Sequence, residues 1–74
     1  MDPENIREMI ARSLPGADVQ VEDLTGGRDH FRVTVKAAQF RGCSRIEQHR
    51  MIYGALGDAM AGPIHALQIQ TETL

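Results

Sequence analysis

The sequence is poor in cysteine and in aromatic residues. Its 74 residues contain one cysteine, Cys43, no tryptophan, one tyrosine and two phenylalanines. A single cysteine excludes an internal disulfide bond and any metal or iron–sulfur site built only from the thiolates of one chain, and it fits a reducing compartment. No apolar run is long enough to cross a bilayer, and no basic-then-apolar signal segment opens the chain. These absences predict a cytoplasmic protein that does not associate with membranes.

Sequence signatures of catalysis are also missing. The chain contains no Cys-x-x-Cys, no His-Glu-x-x-His, no Gly-x-Ser-x-Gly and no glycine-rich phosphate loop ending in lysine. A chain of this length makes one domain, residues 1–74, and leaves little room for a deep pocket. The sequence therefore predicts a single domain that is not an enzyme.

The charge of the chain changes sign along its length. Residues 1–27 hold two basic and six acidic residues, a net charge of −4, whereas residues 28–50 hold six basic and two acidic residues, a net charge of +4. Three arginines of the basic segment, Arg41, Arg45 and Arg50, could contact the phosphate groups of a nucleic acid. A solvated surface is the simpler interpretation of the same charges.

Hydrophobic periodicity predicts five elements, because helices repeat apolar residues every three to four positions and half-buried strands alternate. They are a helix over residues 2–14, strands over 18–24 and 30–36 joined by a hairpin loop, a helix over 45–60, and a strand that follows Gly62-Pro63 and continues to Thr71. The second helix is long enough to cross the sheet, so the last strand is expected to return parallel to a hairpin strand. The predicted fold class is α+β, a three-stranded mixed sheet with both helices on one face.

The second predicted helix begins with a recognisable cap, since Ser44 and Glu47 have the spacing of a capping box. One side of this helix is expected to be apolar and to comprise Ile46, His49, Ile52, Tyr53, Leu56, Ala59 and Met60. The run Gly54-Ala55-Leu56-Gly57 formally matches the Gly-x-x-Gly of RNA-binding KH domains. Neither middle residue is basic, so close packing against another backbone is the preferred interpretation of these glycines, and fraying of the helix is the alternative.

Two histidines lie near predicted strand ends. His65 shares the alternation of Leu67 and Ile69, which predicts a position one residue into the strand and a side chain on their side of the sheet. His30 closes the hairpin loop on the face opposite Phe31 and is expected to be exposed. His65 could bind a metal ion, shuttle a proton or pack in the core, whereas His30 is free to bind a ligand or to have no role. The two would converge if their strands were neighbours.

Two further side chains could carry chemistry. Cys43 lies just before a helix N-terminus, where the helix dipole and nearby arginines would favour its thiolate and make it a reactive thiol. An incidental cysteine without a chemical role is the preferred interpretation. His49 lies on the predicted apolar side of the second helix. It is expected to belong to the core or to support another ligand.

Nearly the whole chain, about residues 4–71, resembles the BolA family. The residues that carry the resemblance are Val33-x-Val35, Phe40-x-Gly42, His49-Arg50, Tyr53-Gly54-x-Leu56, Met60 and Ile64-His65-Ala66-Leu67. The run from Gln48 to Leu67 is a specific match. The resemblance implies a fold similar to the class II KH fold, which agrees with the predicted order of elements.

The resemblance also implies a partner and a cofactor. Proteins of the BolA family form heterodimers with monothiol glutaredoxins and share a bridging [2Fe–2S] cluster with them. The glutaredoxin cysteine and glutathione hold the other side of this cluster. No cluster is expected in the isolated chain. By this resemblance His65 corresponds to a cluster ligand, and His30 is the candidate second ligand. Many members carry Cys or His directly after the loop glycines, where this chain has Arg28. Cys43 is an outside candidate. Two imidazoles can replace two thiolates on one iron, as in Rieske centres.

A second function is implied by the same resemblance, because some BolA-like proteins are DNA-binding regulators. Contact with DNA would use Arg41, Arg45 and Arg50, whereas the net charge of −2 and the scarcity of aromatic residues argue against it. The same arginines could instead contact a glutaredoxin and the carboxylates of its glutathione. A symmetric homodimer is neither marked nor excluded by the sequence.

Overall fold

The computed structural model of the chain describes residues 1–62 and 64–74. Its main elements are helix α1 (Pro3–Ser13), strands β1 (Asp18–Asp23) and β2 (His30–Ala37), helix α2 (Arg45–Leu56) and strand β3 (Ala66–Thr73). Short 3₁₀ helices, Ala38–Phe40 and Gly57–Ala61, follow β2 and α2. Of the predicted stop at Gly62-Pro63, Pro63 lies outside the described residues. Within the described ranges, no helix is both long and apolar enough to cross a membrane.

The three strands form one mixed sheet in the order β1-β2-β3. β1 pairs antiparallel with β2, from Asp18 opposite Lys36 to Asp23 opposite Phe31. β3 pairs parallel with β2, beginning with His30 opposite Ala66. Two parallel neighbours need a crossover, and α2 supplies it. The predicted α+β class and the mixed three-stranded sheet are both confirmed.

The core lies between the central strand and the two helices. β2 alternates between fully buried and half-buried side chains, so one face of the sheet is apolar. The side chains with no exposed area are Ile6, Ile10, Phe31, Val33, Val35, Ala37, Phe40, Ile52 and Leu56. The other face of the sheet is polar and carries ion pairs between neighbouring strands, Arg32 with Glu22 and Lys36 with Glu72, each at 3.7 Å.

The predicted cap of α2 is confirmed. The backbone N–H of Glu47 donates to Ser44 Oγ at 3.2 Å, and the backbone N–H of Ser44 donates to Glu47 Oε1 at 3.1 Å. The helix is shorter than predicted, because it ends at Leu56 and gives way to a 3₁₀ turn. Gly57 caps it with a positive φ of 52°, a conformation that favours glycine.

The predicted apolar side of α2 is only partly correct. Ile52 and Leu56 are fully buried, but Ile46 is 65% exposed and Tyr53 is 44% exposed. Each residue advances about 100° around an α-helix, so Tyr53 points well away from its buried neighbour Ile52. The close-packing interpretation of Gly54 is also wrong, since a Cβ at Gly54 would meet nothing within 4 Å.

Candidate functional site

The hairpin loop between β1 and β2 is organised by one carboxylate. Asp23 accepts hydrogen bonds from the backbone N–H groups of Thr25, Gly26 and Arg28, at 3.3, 2.9 and 3.1 Å. Aspartate favours turns because its short side chain bonds to backbone two or more residues ahead. Arg28 has a positive φ of 61°, and its guanidinium pairs with Asp2 at 2.8 Å. Arg28 occupies the position directly after the loop glycines, so neither a thiol nor an imidazole is present there.

The same loop anchors the start of β3. The backbone carbonyl of Asp29 accepts hydrogen bonds from the backbone N–H groups of His65 and Ala66, at 2.7 and 3.1 Å. In the sheet, His30 lies directly opposite Ala66. The backbone positions of His30 and His65 are therefore tied together through a single residue, although the two histidines are distant in the sequence.

The rings of His30 and His65 lie against each other. Their centroids are 5.1 Å apart and their planes make an angle of 67°, an edge-on arrangement. His30 projects from the face opposite Phe31, as predicted, but it is half-buried and not fully exposed. His65 is exposed, and it precedes β3 instead of lying one residue inside it. The strand alternation therefore does not apply to His65, and its ring contacts His30 instead of joining Leu67 on the core face.

His30 is held by the residue before it. Its Nδ1 lies 2.9 Å from Asp29 Oδ1. An ionised carboxylate can only accept, so Nδ1 carries the hydrogen and donates it, which leaves Nε2 as the nitrogen with an available lone pair. The hydrogen bond from His30 is the largest of the contributions that lower the pKa of the Asp29 carboxyl. This arrangement resembles the carboxylate–histidine pairs that support metal ligands.

The other candidate residues lie at the opposite end of the sheet. β2 runs from His30 to Ala37, roughly 23 Å at the usual rise of a strand. Beyond Ala37, the Cys43 Sγ donates to the Gln39 carbonyl at 3.6 Å. The guanidinium of Arg41 donates to the Leu74 carbonyl at 2.7 Å. The structure therefore does not bring Cys43 to the histidine pair within one chain.

A shallow groove lies beside the first turns of α2. It has a volume of about 280 Å³ and is lined by Arg45, His49, Ile69, Gln70 and Thr71. His49 is half-buried in this groove and does not belong to the fully buried core. Arg41, Arg45 and Arg50 are all exposed. Arg41 and Arg45 lie at this end of the molecule, and Arg50 follows farther along α2. The basic residues singled out in the sequence are therefore on the surface.

The structure adds one residue, Asp29, that the sequence did not single out. Asp29 contacts both histidines, through its side chain and through its carbonyl. The signal was present as the Asp29-His30 pair, but only the parallel pairing of β2 with β3 shows that the carbonyl reaches His65. Within residues 1–62 and 64–74, no three His, Cys, Asp or Glu side chains are grouped to hold a metal ion by themselves.

These features define a class: a small helix-covered mixed sheet that presents a histidine pair where two parallel strands begin. The model of the family described as BolA-like protein matches residues 8–74. The chain belongs to the BolA-like family.

Relatives and solved structures agree with this membership. BolA-like protein 1 of Pongo abelii is 48% identical over 75 residues, which cover 92% of this chain and 55% of that protein. A protein of Vibrio cholerae named DNA-binding transcriptional regulator BolA is 42% identical over 48 residues, 65% of this chain and 45% of that protein. The structure of the BolA domain of SufE1 from Arabidopsis thaliana superimposes with a TM-score of 0.87 at 31% identity, over 96% of this chain and 90% of that one. The chain spans about half the length of the two relatives named first.

Proposed function

We propose that this protein is a non-enzymatic adaptor that binds a monothiol glutaredoxin and shares a bridging [2Fe–2S] cluster with it, in the assembly or trafficking of iron–sulfur clusters or in iron sensing. The observation that supports the proposal is the contact between the His30 and His65 rings, whose centroids are 5.1 Å apart at the end of the sheet where β2 and β3 begin. We further propose a cytoplasmic location, in keeping with the single cysteine.

The donor set of the histidine pair suits one iron of such a cluster. Two imidazoles can occupy the two terminal positions of one iron, and thiolates then hold the other iron. Of the two rings, His30 already has Nδ1 engaged by Asp29, which directs Nε2 to an incoming metal. The cluster would supply one-electron chemistry or be passed on as cargo. Imidazole ligands in place of thiolates remove negative charge and raise its reduction potential.

Co-reconstitution with a monothiol glutaredoxin, glutathione, iron and sulfide tests this proposal. We expect visible absorption and circular dichroism spectra that differ from those of the glutaredoxin alone. His65→Ala should abolish the difference while leaving the heterodimer without cluster intact on a sizing column, because His65 is exposed and contributes nothing to the core. His30→Ala should weaken cluster loading in the same way.

His49→Ala is the matched control, because His49 is the remaining histidine of the chain and lies in the groove beside α2. It should leave the spectra of the shared cluster unchanged. Spectra that do not differ from those of the glutaredoxin alone, with no complex on the sizing column, would refute the adaptor function. If His65→Ala unfolds the domain, His65 is a structural residue and the ligand assignment is withdrawn.

DNA binding is the second candidate function. It is favoured by three exposed arginines, Arg41, Arg45 and Arg50, and by the similarity to a relative named DNA-binding transcriptional regulator BolA. Contacts with phosphates would release counterions, so the logarithm of affinity should fall by about 0.9 per contact for each tenfold increase in salt. Arg45→Gln should reduce this slope by about one contact, and Arg12→Gln, an exposed change on α1, should not. Binding that is absent or insensitive to salt would remove this candidate.

A further inference from the structure

We infer that Asp29 is a positioning residue for the histidine pair, fixing the tautomer and the orientation of His30 so that Nε2 faces the metal; this inference rests on the shared-cluster function proposed above. The geometry consists of two independent contacts. The Asp29 carboxylate lies 2.9 Å from His30 Nδ1, and the Asp29 carbonyl accepts from the backbone N–H groups of His65 and Ala66.

The two contacts divide the positioning between them. The backbone contact holds the start of β3 beside the start of β2, whatever side chain residue 29 carries. The side-chain contact restricts the His30 ring and commits Nδ1 to donation, since the carboxylate has no hydrogen to give. Ligand histidines commonly donate their second ring N–H to a carboxylate, which fixes the ring and makes it a more basic ligand. Residue 29 is therefore expected to act through His30.

The side chain of Asp29 can be changed without disturbing the core. It is 46% exposed and lies at the loop end of β2. Asp29→Asn keeps an oxygen acceptor of the same reach but removes the charge, whereas Asp29→Ala removes the acceptor. Both variants retain the backbone carbonyl that holds His65. Comparing them separates orientation of the ring from the effect of negative charge on its basicity.

The first measurement uses the protein without a cluster. Long-range ¹H–¹⁵N correlation spectra report which ring nitrogen of each neutral histidine carries hydrogen. We expect His30 to carry it on Nδ1 in the wild type and in Asp29→Asn, and to shift towards Nε2 in Asp29→Ala. His49, which lies in the groove beside α2 and away from Asp29, serves as the internal control and should keep its wild-type signals in all three proteins. The inference is overturned if the His30 tautomer in Asp29→Ala is the same as in the wild type.

The second measurement uses the heterodimer with its cluster. Asp29→Ala should lower cluster loading, on the order of the 10- to 100-fold loss of affinity typical when the carboxylate behind a ligand histidine is removed. Asp29→Asn should load well but raise the reduction potential, because a less basic imidazole stabilises oxidised iron less. Unchanged loading and potential in both variants would also overturn the inference. If the wild type loads no cluster, the shared-cluster function fails, whereas the tautomer measurement still decides whether Asp29 orients His30.

Discussion

The two ends of the sheet differ in what they present to solvent. At the end where β2 and β3 begin, the ring centroids of two imidazoles are 5.1 Å apart, and one backbone carbonyl, that of Asp29, accepts the hydrogen bonds that hold the strands together. At the end where β2 and β3 finish, the chain presents Cys43, the capped start of α2 and a groove with Arg45 on its rim. The first end presents imidazole nitrogens and the second presents positive charge.

This difference separates the two candidate functions in space. Cluster sharing would use the end with His30 and His65, the histidine end. Nucleic-acid binding would use the opposite end with Arg41 and Arg45, the arginine end. The length of β2, roughly 23 Å, separates the two ends. Substitutions at one end should therefore leave the other function unchanged. Both ends nevertheless depend on one core, in which the two helices pack on the same face of the sheet.

The largest effect is expected from the strand that both ends share. Phe31 and His30 are neighbours on opposite faces of β2, and only Phe31 is fully buried. Phe31→Ala should lower the free energy of unfolding by about 3–5 kcal/mol, because it leaves a large cavity. His30→Ala should cost at most about 1 kcal/mol, since it removes only a partly exposed contact. Urea unfolding followed by far-UV circular dichroism measures both.

If Phe31→Ala is too unstable to fold, Phe31→Leu keeps the comparison measurable with a smaller cavity. Similar losses of stability for His30→Ala and for the Phe31 variant would show that His30 contributes to the core. The histidine end would then not be separate from the packed face of the sheet.

A loss of about 1 kcal/mol is expected at the arginine end. Ser44 accepts a hydrogen bond from the Glu47 backbone, so Ser44→Ala removes a helix cap of a kind that contributes about 0.5–2 kcal/mol. Unfolding in urea measures the loss, and hydrogen exchange should show the first turn of α2 opening more often. Ser13→Ala, at the C-terminal end of α1, is the control, since it removes no N-cap. If hydrogen exchange at the start of β2 and β3 increased equally, the two ends would not be independent.

A gain in stability is expected from Gly54. This residue lies within α2, is exposed, and has open space where a Cβ would be. Gly54→Ala should raise the free energy of unfolding by about 0.5–1 kcal/mol, because alanine loses less backbone freedom in a helix. Gly57→Ala should destabilise instead, because Gly57 has a positive φ of 52°. A loss of stability in Gly54→Ala would indicate close packing that the structure does not show.

The smallest effect is expected from acid. Hydrogen bonds from the Ser44 backbone and side chain hold the pKa of Glu47 below its usual value of 4.5, with Arg50 adding to the effect. A carboxyl whose pKa is lower in the folded state stabilises the fold above 4.5, and this contribution disappears as the pH falls through the lowered pKa. The stability difference between wild type and Glu47→Gln should therefore shrink on acidification. A difference that is constant with pH would contradict this.

Much of the fold could be predicted because local patterns determine it. The alternation of Val33 and Val35, the Ser44–Glu47 cap and the Pro3 start of α1 act over a few residues, and the structure has each of them. The exposure of Ile46 could not be predicted in the same way. Which side of α2 is buried depends on how the helix rotates against the sheet, and apolar residues flanking the buried stripe can remain in water.

The site could be predicted only in part, because it depends on strand pairing. His30 and His65 were singled out as residues, but their contact requires β3 to lie beside β2 in one particular register. The role of the Asp29 carbonyl and the position of His65 just before the strand also follow from that pairing. Cys43 lies at the other end for the same reason, since the length of β2 separates it from the loop. Chain spacing alone contains none of this information.

Because β3 pairs with β2, the contact between the two histidines also depends on the local folding of β3. β3 is an edge strand, held by β2 on one side only. If it detached while the hairpin persisted, His65 would leave with it and His30 would remain, so the pair would exist only in molecules whose edge strand is docked. A metal ion bound by both histidines would then stabilise the docked strand. A higher affinity for the metal ion would therefore accompany stronger protection of the β3 amides from hydrogen exchange.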